Sequence, residues 1–251
     1  MPIVASLAKL TLLEAVRNRV LWLAVAVIVV AFGLAQFLSQ VGITETREIQ
    51  IVLVAALLRV AAAFIVAVFV ITSMVRESTD KITELLLSLP TPRAAYFFGK
   101  FTGYASVAAI LALVCALPLL PFAKTLGLAL WTASLVCELL IVTAVSLFCA
   151  RERTQNRLTA VTGFYLLSRS MAAMQIIAGA PLHEQTFTDQ VVGAVVALIA
   201  LLLPSLDSMT QTTWLLGGAP GNVLAAVFGQ TVIYLVLICS AALFDLYRKN
   251  F

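Results

Sequence analysis

The chain has 251 residues, of which 62% are hydrophobic and only 11% charged, for a net charge of +4. A mean hydropathy of +1.07 excludes a soluble globular domain and points to an all-α polytopic membrane protein. The basic residues stand at the ends of apolar runs rather than in a patch interleaved with aromatics, which argues against a nucleic-acid partner and makes them signals of topology.

A hydrocarbon core of about 30 Å and a rise of about 1.5 Å per residue require about 20 apolar residues per crossing. Residues 1–19 mix Lys9, Glu14, Arg17 and Arg19 with Leu7, Leu10, Leu12 and Leu13, a pattern that predicts an interfacial helix. Nearly twenty mixed residues precede the first apolar run and no small-residue cleavage site follows it, so that run is expected to stay as a signal anchor. The spans are then predicted at 20–38, 49–75, 95–122, 125–150, 158–179 and 222–246, within a single transmembrane domain 1–251. Trp22 suits a headgroup boundary, and Pro118 and Pro121 are expected to break the far end of the third span.

Two segments do not fit as spans. Val191 to Leu203 is only thirteen residues before Pro204, short of a comfortable crossing, and is predicted as a re-entrant or external helix within 180–221. Residues 76–94 hold Arg76, Glu77, Asp80, Lys81, Glu84 and Arg93, too many charges for hydrocarbon, so this insert must lie at a membrane surface. Within it, Ile82, Leu85, Leu86 and Leu89 recur at helical spacing, and Pro90 and Pro92 end the resulting amphipathic helix. With both termini in the cytoplasm, Arg47 and Lys124 alone among the connector cations fall on the outer side; counting Val191 to Leu203 as a crossing would put Arg248 and Lys249 there too.

The order Glu77, then Glu84-Leu85-Leu86-Leu87-Ser88-Leu89-Pro90, then Arg93, Tyr96 and Gly99-Lys100 resembles the cytoplasmic loop of the type-2 family of ABC-transporter permeases. Leu12 to Arg19 with Leu21-Trp22, the stretch Leu203 to Asp207, and the basic tail Tyr247 to Phe251 are similar to that family in the same order. One departure stands out: the family usually shows Gly-Thr-Leu where this chain has Lys81, Ile82 and Thr83. The resemblance implies an N-terminal elbow helix, a coupling helix between spans two and three, and a bacterial inner-membrane location. It further implies a separate ATP-binding-cassette ATPase subunit as partner and a second copy of the chain, associated through first and fifth spans. Glu77, Glu84, Leu85, Leu86, Pro90 and Arg93 are then the expected ATPase-coupling residues, and the transporter is expected to be an exporter.

Three ionisable residues fall inside predicted spans: Arg59, Glu138 and Arg169. Each must face protein, water or a partner, because a charge at the centre of a membrane helix costs about 2.5–3.5 kcal/mol even on an insertion scale. Glu138 and Arg169 lie at similar depth, which predicts that they pair; snorkelling of Arg59 and Arg169 along their stems is the structural alternative, and direct contact of these charges with a substrate in a pathway is the functional one. No enzyme, cofactor or metal is expected. The fragment Phe98-Gly99-Lys100-Phe101 lacks the first glycine and the final hydroxyl of a phosphate loop, and His183 is the only histidine. The rival readings are a secondary carrier or channel, against which the insert's occurring once rather than in both halves weighs, and a non-transporting membrane scaffold or assembly factor.

Overall fold

A computed structural model of the chain describes residues 2–17, 20–41, 46–80, 92–120, 124–150, 156–179, 203–209, 211–212, 214–217 and 223–248, with the short pieces 194–195 and 198–199. Every regular element among them is helical: α1 Pro2–Arg17, α2 Val20–Val41, α3 Thr46–Thr79, α4 Arg93–Ala116, a 3₁₀ turn Leu117–Leu119, α5 Thr125–Ala150, α6 Arg157–Gly179, the single turns α7 Leu206–Met209 and α8 Trp214–Gly217, and α9 Val223–Arg248. Among the described residues, four segments are long and apolar enough to cross a membrane: Gln50–Thr79, Arg93–Leu119, Thr125–Ala150 and Ala225–Arg248. Helices α1 and α2, bent by 53° at their junction, add a fifth if taken together as one broken span. The six-span count read from the sequence is therefore one or two higher than these criteria reach.

Helix α5 is the axis. It touches α3, α4, α6, α8 and α9, and 72% of its membrane-length window is buried, against 17% for α9. The sequence explains why: Trp131, Leu135, Leu139, Ile141 and Leu147 point to different sides of α5 and all are buried. A helix that is apolar all round belongs in an interior. Helix α8 caps the start of this axis so closely that a Cβ on Gly127 would stand 2.6 Å from the Trp214 carbonyl oxygen. Leu206 of α7 and Trp214 and Leu215 of α8 are buried in the same core, which draws part of the predicted external segment into the bundle.

Helix α1 is more than a strip resting on lipid. Leu7, Thr11 and Ala15, spaced four apart, form its buried stripe, while Leu10, Leu13 and Val16 are exposed. The stripe seats on α4 where Gly99 and Gly103 leave room. A Cβ on Gly99 would meet Leu7 Cδ1 at 2.9 Å, and one on Gly103 would meet Thr11 Cβ at 2.7 Å. Small residues four apart are what let two membrane helices come this close. Thr11 Oγ1 donates to the Leu7 carbonyl oxygen of its own helix at 3.0 Å, so burying it leaves no polar group unsatisfied.

Proline sets two boundaries. Pro92 caps α4 with extended backbone (φ −62°, ψ 129°), and the helix begins at Arg93. At the other end α4 closes at Ala116 and tightens into a 3₁₀ turn around Pro118, which has no N–H to continue an α-helical ladder. The expected third span therefore ends as a regular helix before 122. Helix α3, in contrast, runs on through Arg76 and Glu77 to Thr79, so the first charged residues of the insert are one more turn of the second long helix.

Candidate functional site

Two buried polar clusters stand out, one at each level of α3. The first lies at the end of α3 where the insert departs. The carboxylate of Glu77 in α3 is salt-bridged to the Lys100 ammonium of α4, both almost fully enclosed. Tyr96, one turn before Lys100, directs its hydroxyl to Glu77 Oε2 at 3.5 Å. One turn deeper, the Tyr104 hydroxyl donates to Ser73 Oγ at 3.0 Å, and the Tyr104 ring meets Phe69 edge-on at 5.7 Å. Helix α4 offers Tyr96, Lys100 and Tyr104 at four-residue spacing, so one polar edge of α4 faces one polar edge of α3.

Arg93, the first residue of α4, donates from Nη1 to the Leu246 carbonyl oxygen near the end of α9 at 3.2 Å. That contact satisfies one of the acceptors a helix terminus leaves open. Beside the cluster, Glu14 and Arg17 of α1 and Arg76, Glu77 and Asp80 of α3 line a cleft of about 450 Å³. Arg76 and Asp80 form an exposed pair at 3.9 Å on its rim. Of the six residues expected to couple to an ATPase, Glu77 and Arg93 are placed at the two feet of the insert; Glu84, Leu85, Leu86 and Pro90 lie outside the described residues.

The second cluster lies near the middle of α5. Glu138 is fully buried there and receives three side chains from two neighbours. Arg169 Nη1 of α6 stands 3.1 Å from Glu138 Oε1, the Tyr165 hydroxyl of α6 donates to the same oxygen at 2.9 Å, and Arg59 Nη1 of α3 stands 3.5 Å from Oε2. Arg59 is itself held: Nη2 donates to Ser134 Oγ at 3.0 Å, the Ser134 hydroxyl in turn donates to the Trp131 carbonyl oxygen at 2.8 Å, and the guanidinium lies 5.2 Å from the centre of the Trp131 ring. Arg59 thus does not snorkel, since its side chain is wholly enclosed. The sequence paired Glu138 with Arg169 from their shared depth and gave Arg59 no partner residue; the structure joins both arginines to one carboxylate.

Two features were missed in the sequence. The Glu77–Lys100 pair joins residues noticed only as separate motif positions. The seat for α1 is spelled out by Gly99-x-x-x-Gly103, the small-residue spacing that signals close helix approach. Among the described residues no three side chains of His, Cys, Asp or Glu type come together as a metal-binding group, and His183 lies outside them. The free thiols Cys115 and Cys137 are buried in the core as small apolar side chains. No protein-family model and no curated protein sequence matches the chain.

Proposed function

We propose that the chain is the membrane-spanning subunit of an ATP-binding-cassette exporter, with six spans, both termini in the cytoplasm of a bacterium, and the insert as its coupling helix. Two copies would form the pathway and two separate ATPase subunits would bind beneath them. What supports this reading, beside the motif order of the insert, is how the insert is anchored. It leaves α3 just past Glu77 and rejoins the bundle at Arg93, and the buried Glu77–Lys100 bridge ties those two helices together a turn or two away. Through Gly99 and Gly103 the same α4 is clasped to α1. A push on the insert is therefore delivered to α1, α3 and α4 as one body, which is what an external motor requires of a lever.

The Arg59–Glu138–Arg169 group, two of its members fully buried, is the observation that favours the second reading, a carrier driven by an ion gradient, because intramembrane charges mark ion and substrate paths in such proteins. Affinity purification from native membranes separates the two. A stoichiometric nucleotide-hydrolysing subunit, lost when Glu84→Arg and Leu85→Asp are combined, is the expected result. Recovery of the chain alone, with transport intact in its own proteoliposomes, would establish the carrier instead.

A further inference from the structure

Arg76 stands where two clefts meet. The first is polar, the one of about 450 Å³ that Glu14 and Arg17 of α1 line together with Arg76 and Asp80 of α3, at the level where the charged insert departs. The second is apolar, about 390 Å³, and runs down α3 past Thr72, Phe69, Val68 and Phe64, with Leu23 of α2 as its other wall. Residues four apart share a face, so these positions make one stripe of the helix. The stripe from Phe64 to Arg76 is about 18 Å long at about 1.5 Å per residue, close to the depth of one bilayer leaflet, about 15 Å. The Thr72 hydroxyl donates back to the Val68 carbonyl oxygen at 2.7 Å and Ser73 accepts from Tyr104, so both hydroxyls along the groove are satisfied within the protein.

The polar cleft carries both signs of charge. Glu77 is committed to Lys100, which leaves Arg17 and Arg76 beside Glu14 and Asp80 among the described residues. Arg76 and Asp80 approach to 3.9 Å in the open, a contact weak enough to yield to a better partner. Leu10 and Leu13, both exposed, share the lining. Two guanidiniums and two carboxylates at the mouth of an apolar groove one leaflet deep are complementary to an amphiphile whose head holds one anion and one cation. Guanidinium groups suit a phosphate, and a primary ammonium brings three donors to carboxylates, which a quaternary ammonium lacks.

A second copy of the chain is the competing occupant. The copy proposed above is placed on the first and fifth spans, α2 and α6, whereas the groove is carried by α3. Copies related by a twofold axis along the membrane normal hold each residue at the depth of its twin, so laying this stripe on its own counterpart would set Arg76 beside Arg76. The charge at the mouth favours a phosphate there instead.

We infer that the two clefts together hold one zwitterionic, amine-bearing phospholipid as a resident of the structure. An acyl chain lies along the α3 stripe, the phosphate is held by Arg17 and Arg76, and the ammonium by Glu14 and Asp80. The inference needs α3 to cross a membrane and does not depend on the permease reading.

The test uses the full-length protein, purified in mild detergent and stripped of lipid. It is titrated with phosphatidylethanolamine, phosphatidylglycerol and phosphatidylcholine of identical acyl chains, and bound lipid is counted by native mass spectrometry. One phosphatidylethanolamine per chain is expected, held about ten-fold more tightly than the other two, roughly the factor that one hydrogen bond to a charged group supplies. Glu14→Gln with Asp80→Asn is expected to erase that preference, whereas Arg17→Gln with Arg76→Gln is expected to weaken all three lipids. Thr72→Trp, which fills the groove and leaves the charges in place, is expected to weaken all three as well. Arg17, Thr72, Arg76 and Asp80 are exposed, so melting temperatures close to that of the unaltered protein are expected and show the fold retained. Equal affinity for the three lipids, a preference that survives Glu14→Gln with Asp80→Asn, or undiminished binding in Thr72→Trp would each overturn the inference. A dimer that admits none of the three lipids would do so too, by giving the groove to a second copy. No readout involves an ATPase, so failure here leaves the permease reading untouched.

Discussion

The cluster at the foot of the insert and the cluster in the middle of α5 are built from the same chemistry and differ in their arithmetic. At the foot, one carboxylate, Glu77, meets one ammonium, Lys100, with tyrosine hydroxyls beside them, at the end of a helix where water is one turn away. At mid-depth, one fully enclosed carboxylate serves two guanidiniums, that of Arg59 enclosed and that of Arg169 partly exposed. A balanced pair near a surface can be a fastener and nothing more. A group of three charges deep in an apolar bundle is costly by comparison, since desolvating a charge costs several kcal/mol per ion and only good geometry recovers it. The first cluster ties two helices together where the insert departs; the second joins three helices in the interior.

The largest effect that would sharpen this contrast is expected at Glu138. Glu138→Ala leaves two arginines enclosed without their shared carboxylate and is expected to cost about 3–5 kcal/mol, read as loss of monodisperse protein and a lower melting temperature in detergent. At the foot, Glu77→Ala strands Lys100 and is expected to destabilise by a similar or slightly smaller amount. Here, however, the double change Glu77→Gln with Lys100→Met is expected to restore most of the stability, because an enclosed pair can be replaced by apolar packing at little cost. The matching triple change Arg59→Met, Glu138→Gln, Arg169→Met is expected to restore folding too. If the proposed transport is then lost, the mid-depth group is a working site; if it is kept, the group is a second fastener.

Smaller effects concern the seat of α1. Gly103→Ala places a methyl where Thr11 Cβ already stands, 2.7 Å away, and overpacking of this kind costs about 1–3 kcal/mol. Thr11→Gly is expected to relieve it and Thr11→Ala is not, since alanine keeps the clashing Cβ; melting temperatures of the three single and two double variants check this. The smallest effect is expected at the exposed Arg76–Asp80 pair: Arg76→Ala should change stability by less than about 1 kcal/mol, measured by the same melts.

Much of the fold was legible because membrane helices announce themselves by length and apolarity. The runs that became α3, α4, α5 and α9 could be marked from the sequence to within a few residues. The helical continuation of α3 through Arg76 and Glu77 was not, because hydropathy reports where lipid ends and says nothing about where hydrogen bonding ends. The seat of α1 on α4 went unread for a related reason. Its tertiary contact is made by Leu7, Thr11 and Ala15 against glycines, a seam of small volume that a search for large hydrophobics passes over. Glu138 and Arg169 could be matched by counting along two helices joined by a short connector. Arg59 could not, since α3 reaches α5 only through the packing of the whole bundle, and nothing local places it at that carboxylate.

Helix α5 occupies the centre of the described bundle, and most of its length is enclosed by its neighbours. A cylinder whose axis is itself a helix has no bore down its middle. On the proposed transporter reading, a solute would therefore travel along a seam beside α5 rather than down the axis.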